Sequence, residues 1–397
     1  MRRRAETVPA TTDAPISEVR AIDYRYRPFG AFRLLLAAMV MLQHFCADLA
    51  PEPLMRLVGP YGIGDMAVLI FFALSGFVIT EAVDCAYRRR AGAFMTNRVL
   101  RIVPHFLVAV AVSILAHGLF VALDGVRLWR SQPGIPEGAF AAFNVAMNLV
   151  GIVPLVDRWI HYNFLDITWA VRVEMAFYLA VALAIATGTR LPKARGFARV
   201  GSILMILLIP LFARALEGHG PGMFAYLPYF AFGAGLYFAT RGARLGWVTA
   251  SVSLLGMGLQ LVSRPPGVGA VPPSLPGQLA IFAVLLAAMS VLAFMEIRRG
   301  RRIDRFLGTI TYPLYLYHEA VFIVAATLTV GYSYVTFTAA IVASLAVAVV
   351  AALTLDPFVD RYRDRIRGGR LGGVATRPEV AAATPGPAAA AGLSRGS

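Results

Sequence analysis

Apolar stretches long enough to cross a bilayer follow one another along most of the chain. A membrane-spanning helix needs about 20 apolar residues, and most soluble domains contain no such stretch. With 58% hydrophobic and 15% charged residues and a mean hydropathy of +0.68, the composition also excludes a soluble domain. The sequence therefore predicts an all-α polytopic membrane protein with about ten transmembrane helices, at about 29–50, 61–83, 103–123, 164–187, 200–217, 222–239, 246–263, 278–295, 307–330 and 333–355.

The distribution of basic residues predicts which ends of these helices face the cytosol. An eleventh apolar run, 139–156, is ambiguous, and if it crossed, the basic loops at 190–195 and 298–302 would fall on opposite sides. We therefore interpret it as non-crossing or re-entrant. Both termini are then cytosolic, and 29 of the 37 Lys and Arg residues lie inside, against five in the outer loops and three within spans.

This topology divides the chain into a cytosolic tail at 1–28, a ten-helix membrane domain at 29–357 and a basic, then disordered, cytosolic tail at 358–397. A cleavable signal peptide is not expected, because the basic start is followed by a polar stretch. The net charge of +15 lies mostly between apolar runs, where it signals topology, so we expect membrane lipid and no nucleic acid as a partner. Cys46 and Cys85 have no paired spacing, so neither a disulfide framework nor a thiolate metal site is indicated.

The first span carries two polar residues that an apolar helix rarely keeps. A charge at the bilayer centre costs about 2.5–3.5 kcal/mol on insertion scales, so such residues usually face a protein interior. Arg33 and His44 are eleven residues apart, which places them on one helix face about 16 Å apart along the axis. The spacing predicts that both side chains face one cavity at two depths.

Other spans also contain polar groups. Arg172 and Glu174 lie two residues apart and point to different faces of the fourth span, so Glu174 needs a partner elsewhere, with a cationic or protonated group as the candidate; a structural buried ion pair is the alternative. Arg98 and Arg101 share one helical face, where paired guanidinium groups suit a phosphate but also serve as topological anchors.

Ser75 and His318 each have a simple explanation when taken alone, and two classes of site are not expected. Ser75 beside Gly76 permits close helix packing, and His318 alone is best explained as a hydrogen-bonded packing residue. His318 has no metal-ligating residue type at i+3 or i+4 and His44 has only Asp48, so no metal site is expected. No Gly-x-Ser-x-Gly elbow occurs, which argues against a serine hydrolase.

Taken together, five sequence blocks resemble the acyltransferase family 3 membrane proteins, which O-acylate bacterial polysaccharides, lipopolysaccharide and macrolides. The blocks occur in the family's order. They are Arg33 and His44 as R-x10-H, FFALSGF at 71–77, RVLRIVP at 98–104, WAVRVEMAFYL at 169–179 and GTITYPLYLYH at 308–318.

The resemblance implies an O-acyltransferase of the bacterial inner membrane that moves an acyl group, with acetyl expected, from acyl-CoA to a sugar or glycan hydroxyl. Acyl-CoA is a co-substrate, and no permanently bound cofactor is implied. In this scheme Arg98 and Arg101 meet the phosphates of CoA and Arg33 guards the inner end of the cavity. The residues expected to line the substrate passage are Ser75, Trp169, Tyr178, Tyr312, Tyr315 and His318.

His44 is the expected catalytic group. An imidazole with an unperturbed pKa of about 6.5 accepts a proton at neutral pH, and Glu174 or Asp65 is the candidate carboxylate to orient it. His44 acts either as a general base or as an acyl carrier. The competing functions are a transporter or exporter that uses Arg33, His44 and Glu174 as a pathway, and a sensor with inactive motifs. The acceptor, the acyl chain, the side of modification and the oligomeric state stay open at this point.

Overall fold

The computed structural model describes residues 26–123, 134–190, 223–263, 274–297, 299–329 and 332–367. Every regular element within these ranges is helical, which confirms the all-α prediction. The predicted span at 200–217, the N-terminal tail before residue 26 and the C-terminal tail after residue 367 lie outside the described residues.

The first three helices follow one another with only short connections between them. Pro53 lies in the first turn of the short second helix, where its missing N–H is not needed. Gly62 starts the third helix with φ +53°, a left-handed conformation that favours glycine. A single π-helical turn, Val83–Tyr87, extends this helix. The helices are α1 (Phe29–Asp48), α2 (Glu52–Val58) and α3 (Ile63–Ala82).

The next segment contains two long helices separated by a short one. These are α4 (Ala91–Ala122), α5 (Ala142–Leu149) and α6 (Thr168–Arg190). At eight residues, α5 is about 12 Å long and cannot cross a hydrocarbon core of about 30 Å. The apolar run at 139–156 thus contains a helix too short to span the core, and its non-crossing placement stays a prediction.

Five more helices complete the described part of the chain. They are α7 (Leu227–Thr240), α8 (Arg244–Ser263), α9 (Leu275–Phe294), α10 (Arg301–Leu328) and α11 (Tyr334–Arg367).

Helix α1 packs along α10, and a carboxylate joins them at one end. The side chain of Asp304 accepts hydrogen bonds from the backbone N–H of Gly30 at 3.1 Å and of Ala31 at 2.8 Å, and another from the Tyr26 hydroxyl at 2.7 Å. It satisfies N–H groups at the start of α1 that have no partner within the helix. A Cβ atom on Gly30 would lie 1.8 Å from the Asp304 carbonyl oxygen, so the contact requires glycine.

Helices α3 and α7 also meet through glycines. A Cβ atom on Gly76 would lie 2.0 Å from the Phe230 carbonyl oxygen, and one on Gly233 would lie 1.8 Å from that of Ala73. Small residues at such positions let helix backbones approach closely. The packing interpretation made for Ser75 therefore applies to its neighbour Gly76.

Seven of the described segments are long and apolar enough to span a membrane. Helix α7 has 14 residues, about 21 Å, and is shorter than such a span. Helix α10 is long but amphipathic, with charges in its first turns and polar groups along its buried face. The count of ten and the cytosolic placement of the termini stay predictions. The seven segments are Phe29–Asp48, Glu52–Tyr87, Ala91–Ala122, Thr168–Thr187, Arg244–Val262, Leu275–Phe294 and Tyr334–Tyr362.

Candidate active site

A cavity lies among α1, α3, α4, α6 and α10, and its space of about 110 Å³ suffices for several water molecules or a narrow chain. Its charged groups are the guanidinium groups of Arg33, Arg98 and Arg101 and one carboxylate, Glu174. The cavity is therefore net positive. The predicted site residues that line it are Arg33, Ser75, Arg98, Arg101, Glu174, Tyr178, Tyr312 and Tyr315.

Glu174 is held by hydroxyl groups. Ser75 Oγ, on α3, donates to Glu174 Oε1 at 2.9 Å, and the Tyr178 hydroxyl, one turn along α6, donates a short hydrogen bond to the same oxygen. Arg98 interacts with Glu174 electrostatically. The hydrogen-bond partners of this carboxylate are thus two hydroxyls, and Arg98 on α4 is a cationic neighbour of the kind that the sequence predicted.

Arg172 faces away from Glu174, as the two-residue spacing predicts. Its Nε donates to the Gly151 carbonyl at 2.7 Å, and its Nη1 lies 3.8 Å from an Asp157 carboxylate oxygen. Both partners belong to the segment that connects α5 with α6. Arg172 therefore anchors that segment and lies outside the cavity lining.

Arg98 is buried at 7% exposure and has no carboxylate in hydrogen-bonding contact among the described residues. Its guanidinium carbon lies 5.5 Å from the centre of the Phe94 ring and 5.6 Å from that of Tyr178, and its Nε makes no hydrogen bond within the described structure. Aromatic faces stabilise a buried cation by about 2 kcal/mol, and they leave its N–H groups unpaired. A buried guanidinium group held in this way keeps its capacity to bind an anion.

His44 lies beyond this cavity, against His318. The two ring centres are 5.1 Å apart in an edge-to-face arrangement. Arg33 lines this cavity and His44 is not among its lining residues, so the described structure does not bring the two residues of the first span to one cavity. Tyr315 lines the cavity, and its ring centre lies 6.3 Å from that of His318.

His318 has a defined tautomer. Its Nδ1 lies 3.1 Å from the Leu314 carbonyl oxygen, and because a carbonyl only accepts, Nδ1 carries the hydrogen. In the neutral ring Nε2 is then an acceptor, and this atom is buried without a partner in the described structure. The packing role assigned to His318 thus accounts for one ring nitrogen and leaves the other available.

The carboxylates that interact electrostatically with His44 are Asp48 and Asp166. Glu174 and Asp65, the orienting groups predicted from the sequence, have other hydrogen-bond partners. Glu174 accepts from Ser75 and Tyr178, and Asp65 accepts from Gln43 Nε2 at 2.9 Å.

Asp166 and Glu319 were missed by the sequence analysis. The backbone N–H of Asp166 donates to Glu319 Oε1 at 2.8 Å. The position of Glu319 directly after His318 was the available signal. Asp166 precedes α6 in a loop, where no periodic pattern marks it.

The remaining predicted residues have supporting positions. Trp169 packs against Phe72, with ring centres 6.1 Å apart, and does not line the cavity. The Tyr312 hydroxyl donates to the Ile102 carbonyl at 3.2 Å. Tyr312 thus joins α10 to α4 at the cavity wall.

Helix α5 fastens the loop before α6. Asn144 Oδ1 accepts from the backbone N–H of His161 and Tyr162, and Asn148 Oδ1 accepts from that of Phe164 at 3.0 Å. These bonds fix the segment that carries Tyr162 and leads to Asp166.

The comparisons with known proteins agree with the five sequence blocks. A family model described as an acyltransferase domain matches residues 29–354, which is most of the chain. The chain belongs to acyltransferase family 3. It is a membrane acyltransferase, and this assignment supersedes the transporter and sensor interpretations. No curated protein and no solved structure matches the acyltransferase.

Proposed function

We propose that the acyltransferase moves an acyl group, with acetyl expected, from acyl-CoA to a hydroxyl group of a sugar or glycan at the bacterial inner membrane. The observation that carries this proposal is a net positive cavity with Tyr315 in its lining, whose ring centre lies 6.3 Å from that of His318, which in turn packs against His44. A donor with phosphates at one end and a thioester at the other suits a positive cavity next to a pair of histidines.

The phosphates of CoA are the proposed ligands of Arg98 and Arg101. Both guanidinium groups line the cavity one helical turn apart, and Glu174 is the single carboxylate facing them. Arg33 adds a third positive charge. Guanidinium groups bind phosphate through paired hydrogen bonds, so the arginine end of the cavity favours the anionic part of the donor.

The reaction needs a proton acceptor beside the thioester. In direct transfer, His44 takes the proton of the acceptor hydroxyl while the oxygen of that hydroxyl attacks the thioester carbonyl carbon. The C–S bond then breaks, and the CoA thiolate takes the proton back from His44. In the alternative route the His44 ring nitrogen attacks the thioester carbonyl carbon, the C–S bond breaks and CoA leaves as the thiolate. The acceptor hydroxyl then attacks the acyl-histidine, the C–N bond breaks, and the hydroxyl proton passes to the freed imidazole and from there to the thiolate.

Tyr315 is the residue that lines the proposed donor cavity and also lies next to the histidine pair. For the thioester to meet His44, the Tyr315 ring has to turn aside. Its hydroxyl makes only a long contact, 3.5 Å, with the Ile167 carbonyl, so little hydrogen-bond energy opposes that motion.

The test uses the full chain in lipid nanodiscs with radiolabelled acetyl-CoA, and follows label released to water or moved to added glycosides. We expect His44→Ala to lower turnover by about 100-fold or more, the usual contribution of acid–base catalysis. We expect Arg98→Ala to raise the KM for acetyl-CoA about tenfold, the effect of one lost charge-assisted hydrogen bond. Arg98→Lys keeps the charge and should recover part of this loss.

Arg56→Ala is the matched control, because Arg56 is exposed and pairs only with Glu52 on the surface of α2. Its kinetics should equal those of the unmodified chain. Full activity of the His44→Ala variant would refute the role of His44. Label found on the protein and absent from His44→Ala would select the acyl-histidine route.

A further inference from the structure

A second open space in the described structure lies between α8 and α9, next to α7, and is called here the α8–α9 groove. Its volume is about 370 Å³, and it shares no lining residue with the cavity that contains Glu174. Seven apolar side chains and two serines line it. Its apolar lining includes Phe232 and Leu236 of α7, Trp247 and Leu254 of α8, and Val291 and Phe294 of α9.

The α8–α9 groove opens towards the hydrocarbon of the membrane. Helices α8 and α9 both belong to the segments that are long and apolar enough to span. The side chains of Leu254, Val291 and Phe294 along the groove are 46%, 60% and 53% exposed. The space equals about twelve water-sized groups at about 30 Å³ each, and a methylene group is of similar size. One acyl chain of a membrane lipid therefore fits the groove.

The selective part of such a ligand is its headgroup. An acyl chain gains little by moving from other lipid into an apolar groove, because lipid tails are as apolar as the side chains around it. A preference for one class of lipid therefore requires polar or charged groups at an end of the groove.

Aromatic rings mark one end of the groove. Trp247 lies in the first turn of α8 and Phe294 is the last residue of α9, so both lie where these helices reach the membrane surface. Their ring centres are 5.9 Å apart and their planes differ by 13°. Tryptophan is enriched at the membrane–water interface, with its ring at the level of the headgroups. The stacked pair therefore marks the headgroup end of the groove.

Two arginines lie at the same end. Arg244 precedes Trp247 by three residues, which places both on one face of α8, and Arg299 follows the end of α9. Both arginines are exposed, and neither forms an ion pair with another residue in the described part of the chain. The nearby carboxylate in the sequence, Glu296, lies 3.7 Å from Arg301. The predicted topology puts this end in the cytosol, where an anionic leaflet attracts each basic residue by about 1 kcal/mol.

We propose that the α8–α9 groove binds an anionic phospholipid, of which phosphatidylglycerol is the probe. One acyl chain lies in the groove, and the phosphate lies beside the guanidinium groups of Arg244 and Arg299. A zwitterionic lipid such as phosphatidylcholine binds less well, because its own ammonium group offsets the charge of its phosphate. The groove is separate from the acyl-transfer site, so this inference does not rest on the proposed function.

The experiment measures quenching of Trp247 fluorescence by brominated lipids in nanodiscs. The full chain carries Trp129→Phe, Trp159→Phe and Trp169→Phe, so that Trp247 is the single tryptophan. Brominated phosphatidylglycerol and brominated phosphatidylcholine are compared at equal mole fractions in unbrominated phosphatidylcholine. We expect the apparent affinity for phosphatidylglycerol to be about fivefold or more higher, which corresponds to about 1 kcal/mol.

Removing the two charges tests the headgroup contact. We expect Arg244→Gln combined with Arg299→Gln to lower the affinity ratio to about one. Arg89→Gln combined with Arg90→Gln is the matched control, because these two arginines are exposed on the same predicted side but lie between α3 and α4. The control should keep the ratio of the single-tryptophan chain.

Filling the groove tests the acyl-chain contact. Ser251 lines the groove, so Ser251→Phe should exclude the chain and also lower the ratio to about one. Leu255→Phe is the matched control, because Leu255 is 59% exposed on α8 and does not line the groove. Its ratio should be unchanged.

Equal quenching by the two lipids in the single-tryptophan chain would overturn the proposal. So would the absence of quenching by either lipid, which would show that a second copy or another part of the chain covers the groove. If the single-tryptophan chain fails to fold, native mass spectrometry of the chain with all four tryptophans decides. After equilibration with equal amounts of both lipids, we expect preferential retention of phosphatidylglycerol that is lost in the Arg244→Gln and Arg299→Gln double variant, and equal retention of both lipids would refute the site.

Discussion

Glu174 illustrates how a single carboxylate is kept inside an apolar bundle. Ser75 and Tyr178 both donate to its Oε1 atom, and Arg98 lies within electrostatic reach. Each hydroxyl replaces part of the hydration that the carboxylate would have in water. The arrangement also ties α3 to α6 at the cavity wall.

Removing one of these donors should weaken the site without disrupting the fold. We expect Ser75→Ala and Tyr178→Phe each to lower acyl transfer about tenfold, because a hydrogen bond to a charged group contributes about 1.5–3 kcal/mol. Initial rates with radiolabelled acetyl-CoA measure this effect. Ser290→Ala is the control, since Ser290 bonds only to the Leu286 carbonyl of its own helix. Rates equal to that control would show that Glu174 has no part in transfer.

Individual site residues could be predicted from the sequence only where a rule of spacing applies. The separation of Arg33 from His44 and of Arg98 from Arg101 follows from helical periodicity. The contact between His44 and His318 joins residues 274 positions apart, and no local pattern encodes it. The pairing of Glu174 with Ser75 depends in the same way on how α3 and α6 pack.

Among the helices, α1 and α10 together carry both histidines, and their junction at Gly30 and Asp304 determines the relative placement of the two rings. Asp304 caps α1, and the backbones touch where Gly30 has no side chain. A shift at this end moves His44 along His318 at the other.

A methyl group at this junction tests the coupling. We expect Gly30→Ala to destabilise the protein by about 1–3 kcal/mol, the usual cost of overpacking, because the added atom meets backbone that cannot move aside. Acyl transfer should fall together with the thermal unfolding temperature in detergent. Gly92→Ala is the control, because a Cβ atom there meets nothing within 4 Å. Its melting temperature should stay the same or rise. A Gly30→Ala variant as stable as this control would contradict the described packing.

The presence of the helices was predictable from the apolar runs, whereas the residues at which they begin and end were less predictable. Helix α4 begins at Ala91, twelve residues before the predicted span, because its polar first turns extend beyond the apolar run. Helix α10 begins with arginines and Asp304 for the same reason. Hydropathy marks the part of a helix that meets lipid, whereas hydrogen bonding determines where it starts.

For the molecule as a whole, the predicted topology places the Arg33 end in the cytosol and the α5 end outside. The assignment depends on the arginine distribution, with 29 of the 37 basic residues on one side. If the proposed donor is right, this orientation puts the Arg33 end of the cavity on the side where acyl-CoA is made.

Cysteine labelling tests this orientation. Arg89 and Glu52 are exposed at opposite ends of α3. We expect a membrane-impermeant maleimide to label Arg89→Cys only in inside-out vesicles and Glu52→Cys only in right-side-out vesicles, in a background where Cys46 and Cys85 are replaced by serine. The reverse pattern would invert the assignment, and labelling of both from one side would show that α3 does not cross.

The position of Tyr315 has a consequence for the ion gradient across the membrane. Each elementary charge that falls through 100 mV releases about 2.3 kcal/mol, so a water-filled hole through the bilayer would drain the ion gradient. Tyr315 lines the arginine-containing cavity, whereas the two imidazole rings are not among its lining residues. If the proposed function holds, an enzyme with its donor cavity closed at this ring would exchange a chemical group between two compartments without opening a water-filled path.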